Sequence, residues 1–137
     1  MEANINFNFK SIRLKIPMGY IFLEEIDLIM INAQDKKTFA YTKDRCEPII
    51  VTGSLKYFEK KLSKNTFFRC HYSYIINLWH IMELNFKNSN IILTGNMVVP
   101  VSRGQMYVFK EMLKENMKIQ NQPQLKSIDK HDLLYTN

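Results

Sequence analysis

Apolar and polar side chains alternate near the start of the chain with the two-residue period of a β-strand. Residues 12–16 alternate between aliphatic and basic side chains and end at Pro17 and Gly19, which predicts a half-buried strand followed by a turn. Runs of aliphatic, aromatic and β-branched residues predict further strands at 20–23, 28–31, 39–41, 49–52, 75–76, 81–84, 91–93 and 98–101. We interpret the polar stretch 32–37 as a loop between two of these strands.

Two segments follow the period of a helix instead. Ser54 is suited to be the N-cap of a short helix, whose apolar stripe is formed by Leu55, Phe58 and Leu62. A second helix is predicted from Gly104, with an apolar face made by Met106, Phe109, Leu113 and Met117. Such a face is more typical of a helix that covers the sheets than of one that binds a partner or a membrane surface. The chain is therefore predicted to be mainly β, with one short central helix and a C-terminal helix.

Length and composition favour one packed domain with short ends. The 137 residues, 46% of them hydrophobic and 12% aromatic, are enough for one core and too few for two ordinary domains. The sequence has no run of about 18 apolar residues and no signal-peptide pattern. We therefore expect a cytoplasmic protein that does not enter a membrane.

Residue types that serve catalysis or metal binding form no recognisable pattern. Cys46 and Cys70 have neither a CxxC spacing nor a cluster of ligands, so we expect no metal site and two free thiols of core-like character. A redox-sensing role for Cys70 is the alternative. His71 and Ser73 lack the glycines of a nucleophile elbow, and the four glycines of the chain form no phosphate-binding loop. We expect neither an enzyme nor a bound cofactor.

Positive charge is concentrated in one half of the chain. The net charge is +6, and residues 54–118 carry ten basic and four acidic side chains, whereas the remaining residues are balanced. A half that binds a polyanion would show this distribution, and a lysine-rich solvated surface would give the same count. Charge alone leaves both readings open.

The most informative segment is residues 67–78, where aromatic and apolar residues alternate with Arg69, His71, Ser73 and Asn77. A plain buried strand does not carry polar groups so densely. Basic and hydroxyl groups between aromatic ones suit a surface that meets phosphates and base edges. A hydrogen-bonded network that holds strands together is the alternative explanation for the same groups.

Residues 67–81, FFRCHYSYIINLWHI, and residues 98–105, VVPVSRGQ, together resemble the LytTR DNA-binding domain family. The family pattern is roughly Phe-x-Arg-x-His-Arg-Ser-Tyr-x-Val-Asn, followed later by Pro-Val-Ser-Arg. Upstream, residues 25–31 and 53–55 resemble the family's strand entry and the opening of its helix. The resemblance extends over about residues 10–118. We therefore divide the chain into an N-terminal arm at 1–9, a LytTR-type DNA-binding domain at 10–118 and a C-terminal tail at 119–137.

The resemblance implies small stacked antiparallel sheets that bind promoter DNA through loops placed in the major groove. Three places in the family reach DNA, and in this chain they correspond to Lys36 or Lys37, to Tyr72 and to Arg103. We expect these four residues to contact bases, with Arg103 as the principal base reader. The residues expected to contact phosphates or to support the loops are Arg69, His71, Ser73, Ser102 and Asn77.

Two positions depart from the family pattern. Tyr72 stands where the family usually has Arg, and Gly104 follows Arg103 where a second Arg is common. The first change replaces a cation with a hydroxyl and an apolar ring, and the second removes a phosphate contact. Both keep an alternative function open, in which a LytTR-like module holds another regulator and binds DNA weakly or without specificity.

The leading hypothesis is a sequence-specific transcription regulator. The family implies that pairs of protomers bind repeated half-sites on double-stranded promoter DNA. A receiver domain needs about a hundred further residues, so we expect the input signal to come from the tails, from protein abundance, or from a separate sensor or regulator protein.

Overall fold

Residues 10–115, the part of the chain described by a computed structural model, form ten short strands, two α-helices and two 3₁₀ turns at Glu25–Asp27 and Leu78–His80. The predicted N-terminal arm, Met117 and the C-terminal tail lie outside these residues. The strands are β1 (Ser11–Ile16), β2 (Gly19–Glu24), β3 (Leu28–Gln34), β4 (Lys37–Thr42), β5 (Ile49–Val51), β6 (Phe67–His71), β7 (Tyr74–Asn77), β8 (Ile81–Asn85), β9 (Asn90–Leu93) and β10 (Met97–Pro100). The helices are α1 (Leu55–Lys61) and α2 (Arg103–Glu115).

The strands form three small sheets in which every pairing is antiparallel. The central sheet has five strands in the order β5-β4-β3-β7-β6, with β3 hydrogen-bonded to both β4 and β7. A two-stranded sheet is formed by β1 and β2, and a three-stranded sheet by β10, β9 and β8. The mainly β fold of small antiparallel sheets with two helices, which the sequence predicts, is therefore confirmed.

Both faces of the central sheet are covered. Successive residues of a strand point to opposite faces, and Ile75 and Ile76 of β7 accordingly belong to two different hydrophobic clusters. The cluster around Ile75 includes the inner residues of β1 and the buried Phe58 of α1. The cluster around Ile76 includes strands β8 to β10 and the buried Phe109 of α2. Because both faces of the central sheet are occupied, its strand ends and turns are the parts of that sheet that remain for a partner.

The short central helix begins where the sequence predicts. The Ser54 hydroxyl accepts a hydrogen bond from the main-chain N of Tyr57 at 3.1 Å, which is the contact expected of an N-cap. The predicted stripe of Leu55, Phe58 and Leu62 is buried against the central sheet. The residues that the helical period predicted for the cap and the apolar stripe are therefore the ones that cap the helix and are buried.

The predicted loop at residues 32–37 is wrong. Strand β3 continues to Gln34 and β4 begins at Lys37, so that only Asp35 and Lys36 form the turn. Both turn residues have positive φ, 52° and 66°, as a two-residue hairpin turn of the I′ type requires. The polar residues before the turn enter the sheet because β3 is bonded on both edges, and the Asn32 side-chain amide donates to the Ser73 carbonyl at 3.1 Å.

The two cysteines differ in a way that the sequence does not predict. Cys70 is fully buried, and burial raises its pKa to about 12. A thiol with so high a pKa has almost no thiolate at neutral pH, which argues against the redox alternative. Cys46 is exposed, so its predicted core-like character is wrong. It lies in the exposed, charged segment between β4 and β5.

No helix among residues 10–115 has the length and apolar character required to span a bilayer.

The buried His80 links the three-stranded sheet of β8 to β10 to the segment before β3. Its Nε2 lies 2.7 Å from the Ile26 carbonyl oxygen and its Nδ1 lies 2.9 Å from the Thr94 hydroxyl. The carbonyl only accepts hydrogen bonds, so Nε2 carries the proton and Nδ1 accepts from Thr94. Burial disfavours the charged ring and lowers the pKa of His80 below its ordinary value, although the Ile26 carbonyl opposes this effect.

We expect the fold to lose stability in mild acid because of His80. The unfolded chain binds a proton at this ring more readily than the folded chain does, so the stabilisation is complete above the ordinary pKa of about 6.5 and declines as the pH falls below it. The melting temperature is measured at pH of about 7.5 and of about 5.5. Its fall between these two pH values should be smaller in His80→Gln than in the wild type. An equal fall in both proteins would contradict this role of His80.

Candidate nucleic-acid interface

Two of the three places predicted to contact DNA lie side by side at one end of the central sheet. Strand β3 pairs with β7 so that Asn32 lies opposite Tyr74, and the main-chain N of Ala33 donates to the Ser73 carbonyl at 2.9 Å. The turn Asp35–Lys36 that follows β3 therefore lies next to the turn Tyr72–Ser73 that precedes β7. We call this the turn end of the sheet. The centres of the two turns are two strand spacings apart, which is about 10 Å.

The third place is attached to the same end. The main-chain N of Ser102 donates to the Cys70 carbonyl at 3.0 Å, and the Gln105 side-chain amide donates to the Arg69 carbonyl. Both carbonyls lie near the end of β6, immediately before the Tyr72–Ser73 turn. The start of α2, with Arg103, is therefore fixed beside β6. Lys36, Tyr72 and Arg103 form a row along the turn end, although they are far apart in sequence.

The Tyr72–Ser73 turn is shaped by His71. Its Nδ1 accepts a hydrogen bond from the main-chain N of Ser73 at 3.1 Å. Its ring stacks on Tyr72 with centroids 4.5 Å apart and meets Tyr74 edge to face at 5.7 Å. Tyr72 is nevertheless 76% exposed. The imidazole thus holds the phenol ring in a defined direction while leaving its outer face free.

Arg69 connects the Tyr72–Ser73 turn to α1. One guanidinium nitrogen donates to the Tyr72 carbonyl at 2.8 Å, and the other lies 3.0 Å from a carboxylate oxygen of Glu59. These two contacts hold the guanidinium in place and pair its charge with a carboxylate, which makes it less accessible to a phosphate. Of the two roles predicted for Arg69, the structure favours loop support.

Arg103 is in the opposite situation. It is the first residue of α2, and its side chain is exposed. Within residues 10–115 it makes no side-chain hydrogen bond and no salt bridge. The Ser102 hydroxyl accepts from the main-chain N of Gln105 at 3.4 Å, so Ser102 caps the helix and sets the direction in which it starts. None of the five donors of the Arg103 guanidinium is therefore used by residues 10–115.

The remaining predicted residues fall into two groups. Lys36 and Lys37 are both exposed at the first turn. Asn77 is fully buried at the other end of β7, where its amide nitrogen donates to the carbonyls of Glu25 and Leu28 at 2.9 and 2.8 Å. A phosphate cannot reach this side chain, so only the supporting role predicted for Asn77 is compatible with its position.

Two features of α2 bear on the interface. Tyr107 is 67% exposed one helical turn after Arg103, a neighbour that sequence analysis missed. Its i+4 spacing from Arg103 would have revealed it once the helix start was known. At Gly104 an added Cβ would meet no atom within 4 Å, so packing does not exclude the second Arg that the family pattern contains.

The chain is similar in sequence to known regulators. A family model of the LytTr DNA-binding domain matches residues 19–114. Over 91 residues, 64% of this chain, the sequence is 34% identical to the transcriptional regulatory protein YpdB of Escherichia coli K12. It is 26% identical over 115 residues, 82% of this chain, to the sensory transduction protein LytT of Bacillus subtilis. The chain spans 36% of the length of YpdB and 47% of that of LytT.

The structure is also similar to a solved one. The LytTr DNA-binding domain of a methyl-accepting/DNA response regulator from Bacillus cereus superposes with a TM-score of 0.64 at 28% sequence identity. The match covers 75% of this chain and 95% of that chain.

Proposed function

Because the chain belongs to the LytTR DNA-binding domain family, whose model matches residues 19–114, we propose that it is a sequence-specific transcription regulator that reads promoter DNA with the turn end of its central sheet. The DNA-binding unit would comprise residues 10–118, with 1–9 and 119–137 as arm and tail. It would act in the cytoplasm by binding and not by catalysis.

The observation that carries this proposal is that some side chains at the turn end are exposed while others hold the turns in place. Lys36, Tyr72 and Arg103 are exposed there in a row. The side chains beneath them are engaged in bonds that hold the turns, as His71, Arg69 and Ser102 show. Base reading requires exposed side chains on a rigid support, because little conformational entropy is then lost when these side chains bind a ligand.

Each exposed residue suits a different contact. The Arg103 guanidinium matches O6 and N7 of guanine in the major groove. The Tyr72 ring suits the methyl group of thymine or, through its hydroxyl, a base-edge acceptor. Lys36 and Lys37 suit phosphates or guanine. His71, Ser73 and Ser102 would position these groups, with Ser73 and Ser102 close enough to the turns to add phosphate contacts.

Assembly and input are part of the same proposal. Two protomers would occupy repeated half-sites on double-stranded DNA, so that each contributes one turn end to the promoter. The signal would arrive through the tails, through abundance, or from a separate sensor or regulator protein. The names of YpdB and LytT, a transcriptional regulator and a sensory transduction protein, agree with such a setting.

The test is a titration of the purified protein into a fluorescent duplex from its own upstream region and into a scrambled duplex. We expect tight binding to the first only, with an affinity that falls steeply as salt is raised, because each neutralised phosphate contributes a slope of about −0.9 to the dependence on log salt. Weak and equal binding to both duplexes would favour the interaction module that holds another regulator.

A further inference from the structure

The β1–β2 hairpin points its tip toward the turn end. The main-chain N of Thr52 donates to the Lys15 carbonyl at 2.8 Å. Thr52 directly follows Val51, which pairs with Thr38 of β4 just beyond the Asp35–Lys36 turn. The tip at Pro17–Met18 comes immediately after this contact, and Met18 is 94% exposed.

The other end of the hairpin is fixed at the opposite end of the central sheet. The main-chain N of Glu25 donates to the Lys10 carbonyl at 2.9 Å. The Glu25 carbonyl in turn accepts from the buried Asn77 at the end of β7. Strand β1 therefore runs from the Asn77 end to the turn end. Lys15 therefore lies at the turn end, beside the end of β5.

The outer face of the hairpin carries two cations on one aromatic ring. The Arg13 guanidinium carbon lies 4.9 Å and the Lys15 Nζ 5.3 Å from the centroid of the Tyr20 ring. Lys15 faces Tyr20 across the strand pair. Cation–π contacts of this length hold both charges over the ring. Tyr20 is thus a positioning residue for Arg13 and Lys15.

Neither charge has an acidic partner among residues 10–115. The salt bridges found within residues 10–115 involve neither Arg13 nor Lys15, and both side chains are exposed. Like charges that share a ring repel each other, and an anion close to both relieves the repulsion. A symmetric second copy docked on this face would bring further cations instead. The charge of the face therefore fits a phosphate backbone.

We propose that the β1–β2 hairpin is a second DNA-contacting element, in which Arg13 and Lys15 bind phosphates beside the base-reading row. This inference rests on the proposed function and extends it to residues that precede the matched family segment 19–114. Lys15 lies beside β5 at the turn end, so the hairpin would meet phosphates that flank the site contacted by Lys36.

The experiment uses the operator found by titrating the upstream region and compares two duplexes, one with long flanks and one trimmed on the hairpin side to the base-reading site. The Arg13→Ala/Lys15→Ala double variant should bind the long duplex about tenfold more weakly, with the salt slope reduced by about 2. It should bind the trimmed duplex as the wild type does. Both side chains point away from the core, so its melting temperature should be unchanged.

The matched control is Lys43→Ala/Lys64→Ala, which removes two exposed charges near the opposite end of the sheet and should leave both affinities and slopes nearly unchanged. Tyr20→Leu should lower affinity for the long duplex only, whereas Tyr20→Phe, which keeps the ring, should not. A wild type that discriminates operator from scrambled DNA, together with a hairpin variant that behaves like it on both duplexes, would overturn the hairpin proposal alone. A wild type that does not discriminate would overturn the proposed function and the hairpin proposal together.

Discussion

Replacing Arg103 with alanine is expected to weaken operator binding by about 1 to 3 kcal/mol and to relax the preference for one base pair of the site. The side chain is exposed at the first position of α2 and has no partner within residues 10–115, so the substitution removes a ligand contact without breaking an internal one. Alanine is also a good helix former, so α2 should be retained. The measurement is the ratio of affinities for operator and scrambled DNA at fixed salt.

Lys114→Ala is the matched control for Arg103→Ala. Lys114 lies in the last turn of the same helix and is exposed, and among the described residues it pairs with Glu111 alone, at 3.6 Å. It should change neither affinity nor discrimination appreciably, because a surface pair of this kind contributes little to stability and lies far from the turn end. If Arg103→Ala kept the full preference for operator DNA, the base-reading role assigned to Arg103 would be wrong.

Asn77→Ala is expected to have the largest effect on the fold, a loss of about 3 to 4 kcal/mol in the free energy of unfolding. The amide nitrogen donates to the carbonyls of Glu25 and Leu28, and the amide oxygen accepts from the main-chain N of Trp79 at 2.8 Å. Alanine deletes all three bonds at a buried site, and each abandoned main-chain group costs about 1 to 3 kcal/mol when water does not replace the partner. The expected total lies below the full sum because the segment can relax.

Denaturant unfolding of the wild type, Asn77→Ala and Asn88→Ala measures this loss. Asn88 is exposed in the turn between β8 and β9, so its replacement removes an amide of the same size without opening a buried network. We expect its free energy of unfolding to stay within about 0.5 kcal/mol of the wild type. Equal stability of the Asn77 and Asn88 variants would show that the buried amide network contributes little.

Much of the fold could be predicted from local pattern. The period of two along residues 12–16 predicted β1, and the spacing of Leu55, Phe58 and Leu62 after Ser54 predicted α1 with its cap. These predictions succeed because burial on one face and the first capping bond depend on residues within about one turn or one strand of each other.

The loop predicted at residues 32–37 failed for the opposite reason. Its polar residues enter β3 because β7, some forty residues later in the chain, supplies bonding partners such as the Ser73 carbonyl. The row formed by Lys36, Tyr72 and Arg103 depends on the same long-range pairing. The sequence motifs named these residues, but only the strand order brings them to one end of the sheet.

Long-range contacts also separate the side chains proposed to contact bases from those that support the turns. Arg69 and Arg103 are both arginines within the two family motifs, and their side chains have the same chemistry. Glu59, ten residues before Arg69, and the Tyr72 carbonyl occupy the first guanidinium, while the second has no such partner in the part of the chain that the structure describes. That difference arises from the position of α1 beside β6 and not from either motif.

The brevity of the turns has a kinetic consequence. Asp35–Lys36 and Tyr72–Ser73 are two residues each and are closed by strand pairing, and Arg103 begins a capped helix. Almost no backbone has to become ordered when such a surface meets its ligand. Encounter should therefore be limited by diffusion and charge attraction, and different promoters should capture the protein at similar rates. Promoter choice would then be expressed as residence time, with the best operator being the one from which the protein departs most slowly.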